Sequence, residues 1–336
     1  MITGALALSV LVLTDLVERV GRVQLMRAGL ATASIATMVT VAATQMWQVL
    51  LLRIVVGVTL GAVVATAMGH LGAETPVERI GRVMGLYIAG TCLGGVLGRI
   101  VPGSVVDGSS WRYATAAITA LCVAAVAVFA WTLPHPGQRL APAKERTEAF
   151  TSVVTVLLGK PAMRRLCLIG LVLMGVYVAL FNVLAFRLGE PPFNLPTVTI
   201  SALFVLSATG VASSWAAGHL ADRMGHPVTL SSCIVLAMVG LAIMTGDRFC
   251  AVAVGLAVVT AAFFAAHEVA TSWVSVVAGR YRSQGAALYL SGYYTGSAVI
   301  GAALVAIYER GGWVMSVGAM ALLLAIGLAC TITIDD

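Results

Sequence analysis

The sequence predicts an all-α membrane protein of two pseudo-symmetric half-bundles, and three observations carry that prediction. Hydrophobic residues fill 60% of the 336 positions and charged residues only 10%, with a mean hydropathy of +1.00; a soluble domain of that length needs far more polar surface to meet water. The apolar residues fall in runs long enough to cross a hydrocarbon core of about 30 Å, which takes about 20 helical residues. The chain also repeats itself. T-D-L-V-E-R-V-G-R at 14–22 returns as G-H-L-A-D-R-M-G-H at 218–226, so that Glu18 maps to Asp222, Arg19 to Arg223 and Gly21 to Gly225 with a shift of 204. L-Y-I-A-G-x-x-x-G at 86–94 returns as L-Y-L-S-G-x-x-x-G at 288–296, and Trp111 as Trp313, with a shift of 202.

A short apolar run from Ile2 to about Leu13 opens the chain. Spans follow near 25–45, 48–72, 84–106 and 113–133, then near 165–187, 197–218, 227–246, 250–277, 284–307 and 313–334, which makes eleven in all. They read as helices because Gly, Pro and β-branched residues mix in them without period-2 alternation, and because they far exceed the roughly 10 residues of a barrel strand. One long polar connection divides the chain into a half-bundle at 1–133, a linker at 134–164 and a six-helix half-bundle at 165–336. Within the linker a short helix is expected near 150–158, lying along the membrane surface.

Orientation follows from charge. Fourteen basic residues, among them Arg19, Arg22, Arg79, Arg82, Lys144, Arg223 and Arg282, fall on one set of connections, against five on the other: Arg99, Arg112, Arg187, Arg248 and Arg310. The positive-inside rule puts the richer set and the linker in the cytoplasm. The net charge of +6 is then a topology signal, and no nucleic-acid partner is expected. The six cysteines lie in or at the ends of apolar runs with no paired spacing, so they read as small buried hydrophobes. Neither a metal nor another cofactor is expected.

The repeat carries one further expectation. The counterpart of the span at 165–187 would fall before residue 1, and the run at 2–13 covers only about 18 Å of helix. The first of twelve spans is therefore expected to be missing and the second clipped, as in a shortened or mis-started reading of a longer chain.

Three groups of residues carry a family resemblance: the loop pair at 14–22 and 218–226, Arg53-x-x-x-Gly57-x-x-x-Gly61, and G-L-Y-I-A-G-T-C-L-G-G at 85–95 followed by Trp111-Arg112. Over its whole length the chain resembles the major facilitator superfamily, and within it the drug/proton antiporter-like bacterial efflux carriers. F-F-A-A-H-E-V-A from Phe263 and L-Y-L-S-G-Y-Y-T-G-S from Leu288 are similar to one subgroup of multidrug-type carriers. The chain departs from the family pattern at Glu18, where Asp is usual, at Thr14, where Gly is usual, and at Gly95, where the fifth-helix signature has Pro. The resemblance implies alternating access and a loop that stabilises the outward-open state through Glu18, Arg19, Gly21 and Arg22, echoed by Asp222, Arg223 and Gly225.

The residues have readings of their own beside that resemblance. Gly21 and Gly225 allow a sharp turn at a helix end, and the acid–base pairs beside them can bond across helices; a merely solvated loop is the alternative. Gly85, Gly90, Gly94, Gly95 and Gly98 strip side chains from one helix, so a neighbour can approach and slide, or simply pack. Arg53 lies inside a span, where charge costs several kcal/mol unless paired or wetted, so it faces the bundle interior or reaches for the outer interface. Glu268 is the acid well inside a span, with His267 before it. Groups at that depth, wetted from one side at a time, are candidates to carry the coupling proton; a structural hydrogen bond is the alternative.

Tyr177, Phe181, Asn182, Tyr293 and Tyr294 are candidates for the cavity wall, where rings and a few polar groups can hold an apolar or cationic compound, though each can equally be packing. His267-Glu268 falls one residue short of the zinc-protease H-E-x-x-H, since Thr271 takes the place of the second His, and Tyr289 occupies the Gly position of an intramembrane serine-protease motif. A channel is disfavoured by the duplicated halves. The reading is a monomeric, multi-pass secondary transporter of the bacterial inner membrane, most simply a proton-driven exporter of a drug-like compound or metabolite. Its partners are a small-molecule substrate, protons and the lipid bilayer. An importer of the same superfamily and an inactive shortened product stand as alternatives.

Overall fold

Helix is the one regular structure among the described residues, which in this computed structural model are 2–12, 21–74, 80–106, 108–132 and 150–334. The first half holds α1 (Ile2–Val12), α2 (Arg22–Thr40), α3 (Met46–Glu74), α4 (Ile80–Val106) and α5 (Trp111–Thr132). The linker holds α6 (Phe150–Gly159), and α7 (Pro161–Gly189), α8 (Thr197–Ala202), a 3-10 stretch Leu203–Ala208 leading into α9 (Thr209–Met224), α10 (His226–Ile243), α11 (Phe249–Ala278) and α12 (Arg282–Ile332) follow.

The boundaries have local causes. Gly21 and Gly225 stand at the N-caps of α2 and α10 with nearly the same backbone, φ 91 ψ 139 and φ 84 ψ 157. Such positive φ is strained for any residue with a Cβ, so the two copies of the loop motif turn alike because glycine permits it. Pro161 opens α7, where a missing N–H costs nothing. The 51 residues of α12 are two crossings fused end to end, broken at Gly312 with φ 69 and ψ −163, between the spans expected at 284–307 and 313–334.

Seven helices among the described residues are long and apolar enough to cross a membrane, the last covering both of those spans. Two of the other expected spans fall short for evident reasons. α1 has 11 residues, and α2 carries Arg22, Gln24 and Arg27 with Thr32, Ser34, Thr37 and Thr40.

Helices gain little from the hydrophobic effect when they leave lipid for one another, so small residues that let backbones approach decide the packing. In the first half, α1 lies along α3 over Gly57 and Gly61. A Cβ on Gly57 would overlap the Ile2 carbonyl, and one on Gly61 would come 2.9 Å from the Leu6 carbonyl. The glycines of the Arg53 motif are thus the seat of α1. In the second half, α10 and α11 meet at Gly240 and Gly255, and α12 runs along α7. The main core lies wholly within 153–334 and is built around α7. The expected helix near 150–158 is α6, whose Val153 and Leu157 are buried in that core, so protein covers part of its apolar surface. The halves touch where α1 crosses α12, with Leu6, Val10 and Ala287 buried together, and where α4 meets α8 and the 3-10 stretch.

Candidate functional site

A ladder of rings crosses the second half and ends on the first. His267 of α11 places Nδ1 3.1 Å from the Tyr289 hydroxyl of α12. Its ring lies 4.5 Å from that of Tyr293, one turn further on, and 6.2 Å from that of Phe263, one turn back on its own helix. Phe263 stacks on Tyr177 of α7 at 3.9 Å and 8°, Tyr177 meets Phe181 edge-on at 5.0 Å, and Phe181 stacks on Phe204 at 4.2 Å. Over Phe204, at 4.1 Å, sits the guanidinium of Arg99 from α4. The spacing of four residues explains the arrangement, since 263 and 267, 177 and 181, and 289 and 293 each share one helix face.

The ladder gathers Tyr177, Phe181 and Tyr293 from the expected cavity wall. Tyr294 continues it, edge-on to Tyr293 at 5.2 Å, and packs against the Leu6 and Val10 contact between the halves. Asn182 stands one residue off the Tyr177–Phe181 face and is exposed. Half-buried Glu268 follows His267 on α11 and has no side-chain partner among the described residues. Thr271 bonds back to the carbonyls of His267 and Glu268 at 3.0 and 2.9 Å.

Other candidates lie elsewhere. Glu18 and Arg19 fall outside the described residues, as do those at 133–149 in the linker. Arg22 begins α2 next to Gly21, while Asp222 and Arg223 are exposed at the end of α9 and form no ion pair among the described residues. Gly85 lies in α4, and a Cβ on Gly90, Gly94, Gly95 or Gly98 would meet nothing within 4 Å among the described residues. Arg53 is half-buried in α3, without a partner among the described residues.

The structure adds residues that the sequence reading passed over. Tyr289, named from the sequence only against a protease-like motif, is fully buried, and its place in the repeated L-Y motif was a signal that could have found it. Phe204 had no periodic signal, Phe263 was quoted only as the start of a motif although it stands four residues before His267, and Arg99 was read only for topology. Arg187, also read only for topology, is 7% exposed. It donates to the carbonyls of Met244, Thr245 and Gly246 at 2.9, 3.4 and 2.8 Å and to Asp247 at 3.1 Å, and lies 4.4 Å over the Trp313 ring. The Trp313 indole donates to Met244 O at 3.1 Å. This cluster ties the end of α10 to α7 and α12, a structural role.

A family model described as Major Facilitator Superfamily matches residues 1–267. The MFS-type transporter YybF of Bacillus subtilis is 32% identical over 326 residues, covering 97% of this chain and 80% of that protein. The inner membrane transport protein YnfM of Escherichia coli is 32% identical over 97% of this chain and 78% of that protein. The multidrug resistance protein MdtG of Citrobacter koseri is 25% identical over 66% of this chain and 55% of that protein. Among solved structures, the MFS transporter FucP in its outward conformation matches with a TM-score of 0.68 at 12% identity, over 98% of this chain and 88% of that one. At that identity the likeness concerns the fold.

Proposed function

The chain belongs to the Major Facilitator Superfamily, a family of membrane transporters and not of enzymes, and on that premise we propose that it exports a small molecule from a bacterial cytoplasm in exchange for protons. The protease-like motifs carry no chemistry in this reading. The two half-bundles, 1–133 and 165–336, rock about the space between them while the linker at 134–164 joins them on the cytoplasmic side, so that the space opens to one face of the inner membrane at a time. The loop residues Glu18, Arg19, Gly21 and Arg22, with Asp222, Arg223 and Gly225, hold one of the two states, and the α4 glycines Gly85, Gly90, Gly94 and Gly95 give a mobile surface.

The observation that carries the coupling is the placement of His267 and Glu268. They stand on a membrane-deep turn of α11 where the ring ladder passes, His267 bonded to Tyr289 and Glu268 half-buried with no side-chain partner among the described residues. An acid held there meets water when the space opens to one side, so it can load and unload a proton as the halves rock. Arg53, half-buried on α3, is the basic counterpart in the first half. Export is supported by the likeness to MdtG, named as a multidrug resistance protein, and the inner membrane by the likeness to YnfM.

The test is flux of anionic, neutral and cationic fluorescent dyes in inverted vesicles under an imposed pH gradient. Glu268→Gln is expected to abolish gradient-driven accumulation while leaving dye–dye counterflow intact. An unchanged pH dependence removes Glu268 from the mechanism, and if His267→Asn alone abolishes it, the proton site moves to the histidine.

A further inference from the structure

Arg99 stands out because its guanidinium stacks across the boundary between the halves. It lies well within α4, seven residues before the helix ends at Val106. A guanidinium set back from the outer end of an apolar helix is costly unless something compensates it. Arg187, which lies over the Trp313 ring, is fully used by three carbonyls and Asp247. Arg99 differs. Among the described residues it has no carboxylate and no hydrogen-bond acceptor, and its contact is the face of Phe204 across the boundary between the halves. Its side chain remains exposed, with its five N–H donors free of protein acceptors among those residues.

The surroundings say what would complete it. Phe204 is stacked on Phe181, which is 5% exposed and packs on Tyr177, so half-buried Phe204 is the end of the ring column that meets the guanidinium. The Tyr177 hydroxyl stands 3.4 Å from the Ser207 hydroxyl, one turn from Phe204. One turn beyond Arg99, α4 closes on α8 at Gly103, where a Cβ would overlap the Ser201 side chain; one turn before it, on the same face, a Cβ on Gly95 would meet none of the described residues within 4 Å, so the space beside the guanidinium is closed at one end and open at the other. A planar fork of donors and an aromatic wall match a carboxylate or sulfonate carried on an aromatic body, because the fork binds two oxygens at once while the rings take the apolar part. A cation would meet Arg99 as a like charge and would have to leave it unpaired.

Resting on the exporter reading, we infer that the substrate is an aromatic organic anion whose acid group pairs with Arg99 while its ring packs against half-buried Phe204. Arg99 then does two things at once. It selects for negative charge, and because it belongs to the first half while the rings belong to the second, a bound anion bridges the two halves and favours their closure on that side.

The experiment uses three probes with one ring system: 2-naphthoate, neutral 2-naphthamide and cationic 2-naphthamidine, titrated at pH 7.5 against the purified full chain by naphthalene fluorescence anisotropy. Wild type is expected to bind 2-naphthoate tightest. Arg99→Met should weaken 2-naphthoate on the order of 10- to 100-fold and leave 2-naphthamide within about 2-fold, since only the charged bonds are lost. Arg99→Lys keeps the charge and loses the fork, so it should fall between. Phe204→Leu should weaken naphthoate and naphthamide alike. The inference is overturned if wild type fails to bind 2-naphthoate, if it binds 2-naphthamidine as tightly, or if Arg99→Met leaves naphthoate affinity unchanged. Should Arg99→Met not fold, Arg99→Lys decides: a larger loss for the carboxylate than for the amide supports the inference, and equal losses overturn it. The exporter reading fails separately. Arg99-dependent binding of 2-naphthoate without gradient-driven flux sinks proton exchange and keeps the site, whereas gradient-driven flux of 2-naphthamidine without anion binding does the reverse.

Discussion

The Gly90–Gly94 face of α4 and the Gly292–Gly296 face of α12 come from the same repeated motif and live in opposite surroundings. At Gly292 a Cβ would come 3.0 Å from the Cys167 carbonyl, and at Gly296 it would overlap that of Leu171, because α7 lies flush against α12 there. At Gly90, Gly94 and Gly95 it would meet nothing within 4 Å among the described residues. The helix that fills the second copy, α7, is also the most enclosed of the apolar stretches, although Thr197–Met224 of the same half is only 22% buried. The apolar stretch of α7 is 61% buried, while Met46–Val64 of α3 and Trp111–Thr132 of α5 are 22% and 17% buried. A glycine motif therefore marks where a helix can be approached, and the occupant of the approach decides what the motif contributes to stability.

The largest expected effect sets those two faces against each other. Gly296→Val forces a branched side chain into backbone and should destabilise by about 3 kcal/mol or more, whereas Gly94→Val should stay within about 0.5 kcal/mol. Thermal unfolding in detergent, followed by tryptophan fluorescence, reads both; equal losses would break the comparison.

The Trp–Arg clusters at the ends of α2 and α10 give an intermediate effect. In the first half Arg112 makes one bond, 3.0 Å to the Ala43 carbonyl, and lies 4.5 Å over an exposed Trp111; in the second, Arg187 holds three carbonyls and packs on a buried Trp313. Arg187→Met should cost about 2–3 kcal/mol because it orphans those carbonyls, and Arg112→Met about 1 kcal/mol. The Arg187–Asp247 pair adds little, as Asp247 is 78% exposed. Asp247→Asn in the same unfolding assay should therefore stay close to wild type.

The smallest effect concerns the repeated tyrosine. Tyr289→Phe removes the bond to His267 and should cost about 1 kcal/mol, while Tyr87→Phe, which loses no hydrogen bond among the described residues, should lie within about 0.5 kcal/mol. A double-mutant cycle of Tyr289→Phe with His267→Asn isolates the pair, and a coupling near zero would remove it from the site.

How much of this was legible depended on whether the signal was local. Gly21 and Gly225 were readable as turn residues because a conformation reserved for glycine is written in one position, and the structure gives them matching φ and ψ. Helix positions were readable from runs of apolar residues, with ends that shift by a few residues: 25–45 became Arg22–Thr40, since Thr40 and the turn after it close the helix early. The ring ladder was half legible. Tyr177, Phe181 and Tyr293 stood out as aromatics on the right helices, but Phe204 and Phe263 looked like any other apolar residue of a span, and Arg99 looked like one more charge to count.

The sequence by itself determined that the chain is an α-helical membrane bundle, that it is duplicated, and which family it joins. Those properties reside in composition, run length and recurring motifs, none of which needs to know what touches what. Only the tertiary structure decided that Arg99 of one half stacks on Phe204 of the other, that Arg187 closes the end of α10, and that one copy of the glycine motif is filled while its twin stands open. Those outcomes depend on the rotation and approach of helices far apart in the chain. In lipid that rotation is set by close packing between backbones, because an apolar side chain gains almost as much against hydrocarbon as against protein.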